Sequence, residues 1–118
     1  MSTNTEAGVF NNSITFVYIF HEYISFCDYN PKHELHYWRT QNQQEVDFIL
    51  DGKYAIEVKS SPHISSQDLS GLIVLFEEKI IQKYFIVYTG DTEQRLGPNN
   101  LIQAIPYQKF LTQVLPKL

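Results

Sequence analysis

Cysteine is nearly absent. Cys27 stands alone, so the chain can form no internal disulfide and no thiolate zinc site. That fits a reducing, cytoplasmic setting, although a cysteine-poor secreted protein would look the same. Positive charge is also in deficit: 9 Lys and Arg face 13 Asp and Glu, for a formal net charge of −4. This argues against a general polyanion binder, whose non-specific affinity comes from a cationic excess. A local basic groove, or a partner that brings the positive charge, stays open. No long hydrophobic run exists, since FVYIF at residues 16–20 falls far short of a membrane span. The opening MSTNTEAG has neither the basic residues nor the apolar stretch of a signal peptide. Phosphate-loop chemistry is missing too: Gly52-Lys53 is followed by Tyr54 and lacks the upstream glycine of a nucleotide-binding loop.

What remains is a chain of 118 residues, enough for one domain with a real core. Residues 1–7 read as a short flexible start and residues 8–118 as the single domain. Residues 9–27, VFNNSITFVYIFHEYISFC, have helix-compatible spacing at Ile14, Val17, Phe20 and Ile24. Their β-branched and aromatic content suits a strand equally, and the period alone does not decide. Asn30-Pro31 marks a break. ELHYWRT (34–40), QEVDFIL (44–50) and KYAIEVKSS (53–61) all read as strands, the last two joined by the hairpin signal Asp51-Gly52. Ser65-x-x-Asp68 opens a helix whose apolar stripe is Leu69, Leu72, Ile73, Phe76 and Ile80. KYFIVYTG (83–90) reads as a buried strand, 91–100 as a polar loop, LIQAIP (101–106) as a short strand, and YQKFLTQVL as a closing helix after Pro106. The expected fold is α/β: a small mixed β-sheet, an antiparallel meander followed by a strand–helix–strand crossover, flanked by helices.

Three charged residues interrupt the most strand-like segments. Along EVDFIL, alternation sends Glu45, Asp47 and Ile49 one way and Val46, Phe48 and Leu50 the other. Along YAIEVK, Ala55, Glu57 and Lys59 share a face. Such charge is either the solvated side of an amphipathic strand or a site. Two carboxylates with a nearby ammonium suit a hard cation, Mg²⁺ or Mn²⁺, with the lysine near a nucleophilic water or a phosphate. Register separates the two readings. A two-residue turn at Asp51-Gly52 would set Asp47 opposite Ile56 and point Glu57 away. A three-residue turn, with Leu50 opposite Tyr54, or a bulge would set Asp47 opposite Glu57 and Glu45 opposite Lys59. The site reading requires the odd register.

The pattern Asp47…Glu57-Val58-Lys59 resembles the D…(D/E)xK signature of the PD-(D/E)XK, or restriction-endonuclease-like, superfamily, and the expected element order agrees with its αβββαβ core. More narrowly, HYWRTQNQQEVDFILDGKYAIEVKSS resembles the uncharacterised C-terminal domain that follows the ATPase module in many bacterial and archaeal AAA-type ATPases. The likeness continues through GLIVLFEEKIIQKYFIVY and IPYQKFL, covering residues 34–115, and is weakest over the first helix. It implies Asp47 and Glu57 as metal ligands, the Val58 carbonyl as a third, Lys59 as the catalytic cation and Glu22 as a helix-one glutamate near the site. Polar residues opening the next helix, such as Gln67, sometimes assist in that superfamily. Members of the family carry an acidic residue near the start of helix one, within a Phe-Glu pair, and the matching position here falls near the apolar Phe16.

Two functions follow as expectations. One is a divalent-metal-dependent phosphodiesterase acting on DNA or RNA, detached from its ATPase or a fragment of a longer protein. The other is a catalytically silent module that docks onto an AAA-type ATPase in trans, or forms a homodimer, through first-helix aromatics such as Phe10, Phe16, Tyr18, Tyr23 and Phe26. A purely structural ion-pair cluster is a third account of the charged trio. His33, His36 and His63 show no ligand spacing, Arg39 is expected to pair with a nearby carboxylate, and Glu45 to sit at the rim.

Overall fold

A computed structural model describes residues 34–41 and 44–118, all within the compact unit spanning 33–118. The expectations for residues 9–27, for Glu22 and for His33 lie outside the described residues.

Within the described unit the strands are β1 (Leu35–Arg39), β2 (Glu45–Leu50), β3 (Tyr54–Lys59), β4 (Lys83–Tyr88), β5 (Gln94–Leu96) and β6 (Ile102–Pro106). They form one mixed sheet in the order β1-β2-β3-β4-β6-β5. The antiparallel meander β1-β2-β3 passes through a crossover helix, α1 (Ser70–Phe76), into β4, which runs parallel to β3. β6 lies parallel to β4. The α/β mixed sheet is as the sequence predicts.

The strand register sorts the core. Ala55, Glu57 and Lys59 of β3 stand beside Tyr84, Ile86 and Tyr88 of β4, and next come Ile102 and Ala104 of β6. Leu69, Leu72 and Leu75 join the apolar members of this face in one buried cluster, so α1 covers it. On the other face, Phe85 meets Phe110 of the closing helical segment edge-to-face, with ring centroids 5.4 Å apart. That segment starts as an α-helical turn (Tyr107–Lys109), passes through a π turn (Phe110–Val114) and ends in a 3₁₀ turn (Leu115–Lys117). Helix, sheet and helix thus make three layers.

Several expectations need correction. Residues 91–100 are not all loop, because Gln94–Leu96 pairs with β6 as the short antiparallel strand β5. It carries no apolar alternation, and pairing alone defines it. The helix does not run to Ile80: α1 stops at Phe76, and Lys79, at φ 59°, turns the chain back toward β4. Phe76 and Ile80 are exposed, whereas Leu75 is buried and completes the stripe. The face assignment along β2 also changes. His36 pairs with Ile49 and Trp38 with Val46, so two β2 residues, Asp47 and Phe48, stand opposite Tyr37 alone. This bulge resets the alternation and brings Val46 into the same cluster as Ile49.

Candidate functional site

The turn between β2 and β3 adopts the odd register. Leu50 pairs with Tyr54, Ile49 with Ala55 and Phe48 with Ile56. Asp51 and Gly52 both take left-handed backbone, φ 57° and 67°, and the Lys53 N–H donates to the Leu50 carbonyl at 3.0 Å. Lys53 is the extra residue. Its carbonyl accepts the N–H groups of Gln82 (2.7 Å) and Lys83 (3.3 Å), so β4 draws it away from β2.

One step beyond the Phe48–Ile56 pair, Asp47 meets Glu57, and side chains replace the ladder. The Asp47 N–H donates to Glu57 Oε1 at 3.1 Å, and the Val58 N–H donates to Asp47 Oδ2 at 2.8 Å. Each carboxylate thus braces the opposite strand. Both are half-buried, on a sheet face otherwise built of Ala, Ile, Leu and Tyr. Burial pushes the Glu57 carboxyl up to about 10, helped by the negative charge and hydrogen bond of Asp47 and by the charge of Glu45. Burial also raises Asp47, although hydrogen bonds from Glu57 and Val58 partly offset it. Two acids this close in a poorly solvated place hold a proton between them in the absence of another cation.

Lys59 is not that cation. Its ammonium donates to Asp68 Oδ1 at 2.8 Å, at the entry to α1. Asp68 Oδ2 in turn accepts the Ser65 N–H (2.7 Å) and the Ser65 hydroxyl (3.0 Å). Burial alone would raise Asp68, but the bonds from Lys59 and Ser65 outweigh it and hold its carboxyl below the usual aspartate value. Glu45 is likewise occupied, exposed and bonded to Arg39 at 3.0 and 3.3 Å, as expected for a rim pair. His36 is exposed and bonded to Glu34. Gln67 and His63 are also exposed. Among the described residues, no cation contacts Asp47 or Glu57.

Of the residues singled out from the sequence, Asp47, Glu57 and Val58 come together. Lys59 shares their face and is turned aside, and Glu22 lies outside the described residues. Asp68 is the residue sequence reasoning read too narrowly. Its capping pattern was visible, but not that the short link after β3 sets the cap against Lys59.

The donor set suits a hard divalent ion. Two carboxylates each keep an oxygen not engaged by a backbone N–H. A strand residue points its carbonyl to the same side as its N–H, so the Val58 carbonyl is directed toward β2 as well. Oxygen donors of this kind, completed by water, bind Mg²⁺ or Mn²⁺. Among the described residues, no group of three or more His, Cys, Asp or Glu side chains is arranged around a common metal position. Any such ion would therefore rest on two carboxylates and a backbone oxygen. No helix among the described residues is long and apolar enough to cross a membrane.

The family model of the domain of unknown function DUF4143 matches residues 17–110. The chain belongs to this family. DUF4143 domains are typically found with AAA ATPases. The match reaches back into the first segment, where the sequence likeness was weakest, and stops at Phe110. No curated protein and no solved structure matches the chain.

Proposed function

We propose that this DUF4143 domain is a divalent-metal-dependent phosphodiesterase of the PD-(D/E)XK type, acting on DNA or RNA. One observation carries the reading: Asp47 and Glu57 sit side by side on an apolar sheet face, and no cation among the described residues neutralises them. A structural ion-pair cluster would pair Lys59 with them. Instead Lys59 is bonded to Asp68.

Asp47, Glu57 and the Val58 carbonyl would hold Mg²⁺ or Mn²⁺. Such an ion acidifies a bound water and offsets charge developing on a phosphoryl oxygen. Lys59, half-buried on the same face, presents an ammonium that can bind a phosphate oxygen. Its position at the C-terminal end of β3, beside the ends of the parallel strands β4 and β6, is where open α/β sheets place their ligands. With a net charge of −4, the chain gains little from bulk attraction to nucleic acid. A metal at the acid pair would supply the positive charge that the surface lacks.

A second reading is a silent module docking onto a partner ATPase. The ion pair that already occupies Lys59 favours it. Calorimetry separates the two. Mn²⁺ should bind the wild-type protein with one site and release a proton, seen as a heat that depends on the buffer. Asp47→Ala should abolish that binding while leaving the protein folded. A wild type that binds no metal at millimolar Mn²⁺ would leave the docking module as the better account.

A further inference from the structure

We infer that Asp68 keeps the Asp47–Glu57 pair open to a divalent cation by holding the Lys59 ammonium away from it. The inference rests on the metal-site reading above and assigns the site a positioning residue.

Glu57 and Lys59 lie two residues apart on one strand and one face, about 7 Å between backbones. Lysine carries its charge on a flexible four-carbon stem, so the ammonium of Lys59 is within reach of its neighbour's carboxylate. Two poorly solvated acids without a counter-ion strongly attract such a charge. Yet Lys59 Nζ lies 2.8 Å from Asp68 Oδ1. Asp68 wins because its carboxylate is fixed. The N–H and hydroxyl of Ser65 both hold Oδ2, which leaves Oδ1 aimed at β3. Its side chain is 17% exposed and that of Lys59 36%, so the contact is partly shielded from water. In the 3₁₀ turn before α1 (Ser66–Leu69), one carboxylate thus does two jobs: Asp68 closes a capping box with Ser65 and tethers the lysine.

Without the charge on Asp68, the ammonium should turn to Asp47 and Glu57 and compete with metal there. Asp68→Asn is the suitable change, since asparagine keeps the shape and an acceptor for Ser65 but loses the attraction for Lys59. The test is Mn²⁺ calorimetry on wild type, Asp68→Asn, Lys59→Met and the double variant, with Asp47→Ala as the null. Asp68→Asn should bind Mn²⁺ on the order of tenfold more weakly, the scale on which an adjacent opposite charge shifts a carboxylate's proton equilibrium. Lys59→Met should bind at least as tightly as wild type, and the double variant should return to the Lys59→Met value. The double variant carries the same cap change as the single one, so poor folding cannot pass for weak binding.

Unchanged affinity in Asp68→Asn overturns the inference alone. So does a double variant as weak as Asp68→Asn, because Asp68 would then act by its own charge or as a ligand. A wild type that binds no Mn²⁺, or binds it equally in Asp47→Ala, overturns the metal-site reading and the inference with it.

Discussion

Alanine at position 71 should unfold this domain more readily than any other single methyl added to a glycine of α1 or the β2–β3 turn. Gly71 lies in the first turn of α1, where a Cβ would come within 2.1 Å of the Glu45 carbonyl oxygen and 3.0 Å of its carbon. The obstacle is the backbone of β2, not the end of a flexible side chain. Helix and strand must separate for the methyl to fit. The expected cost is about 3 kcal/mol or more, the upper end of what overpacking does in cores. Helix propensity alone points the other way, favouring alanine over glycine by about 1 kcal/mol. The sign of the measured change therefore decides between the two effects. Urea unfolding of Gly71→Ala against Gly52→Ala makes the comparison. Gly52 has nothing within 4 Å of its added Cβ but sits at φ 67°, so its substitution should cost only the ordinary left-handed penalty of about 1 kcal/mol. Equal costs at the two positions would mean that α1 does not press on β2 as described. Glu45 precedes Asp47 by two residues, so the Gly71 variant should also weaken Mn²⁺ binding, by moving one carboxylate relative to the other.

That contact illustrates which parts of the molecule were legible in the sequence. The three meander strands, the crossover helix and the two parallel strands announce themselves through β-branched and aromatic runs, a hairpin dipeptide and a capping pattern. Apolar period reports which segments bury a face. It does not report where a neighbour ends an element. α1 stops at Phe76 although its stripe continues to Ile80, because the chain must reverse through Lys79 to lay β4 beside β3. β5 has three polar-to-mixed residues and exists only through its pairing with β6.

The candidate site divides in the same way. Asp47, Glu57 and Val58 are recognisable as a pattern, and strand parity fixes the register they need. Which register forms was not decidable from Asp51-Gly52. The third turn residue is held from outside the hairpin, where the N–H groups of Gln82, just before β4, and of Lys83, at its start, donate to the Lys53 carbonyl. The partner of Lys59 was hidden for a related reason. Ser65-x-x-Asp68 reads locally as a helix cap, and only the fold brings that cap against the end of β3.

The acid pair also sets the sign of the pH dependence. In chelator, stability should fall as pH rises from about 5 to 8, by about 1–2 kcal/mol for a half-buried pair free to relax. Well below the ordinary glutamate value of 4.5, both the folded and unfolded chains hold the Glu57 proton. As pH climbs through the ordinary glutamate value of 4.5, the unfolded chain releases its proton, while folded Glu57, pushed up to about 10, keeps it. Folding then retains a proton against a rising pH, and the penalty grows by at most about 1.4 kcal/mol per pH unit until Glu57 ionises in place. Asp68 behaves oppositely: its lowered value stabilises the fold at neutral pH, and that contribution disappears only in acid, below the ordinary aspartate value of 3.8. The two windows do not overlap, so Asp68 adds nothing to the slope of thermal melts between pH 5 and 8. Glu57→Gln removes the titrating group while its amide can still donate to Asp47. It should flatten the profile and exceed wild type in stability at pH 8. Saturating Mn²⁺ should do more than flatten it. The metal binds the deprotonated pair, so its stabilisation grows with pH and reverses the wild-type slope. A wild-type profile already flat in chelator would mean that the two acids are solvated and independent. The apolar face of the sheet would then carry no unmet charge for a metal to satisfy.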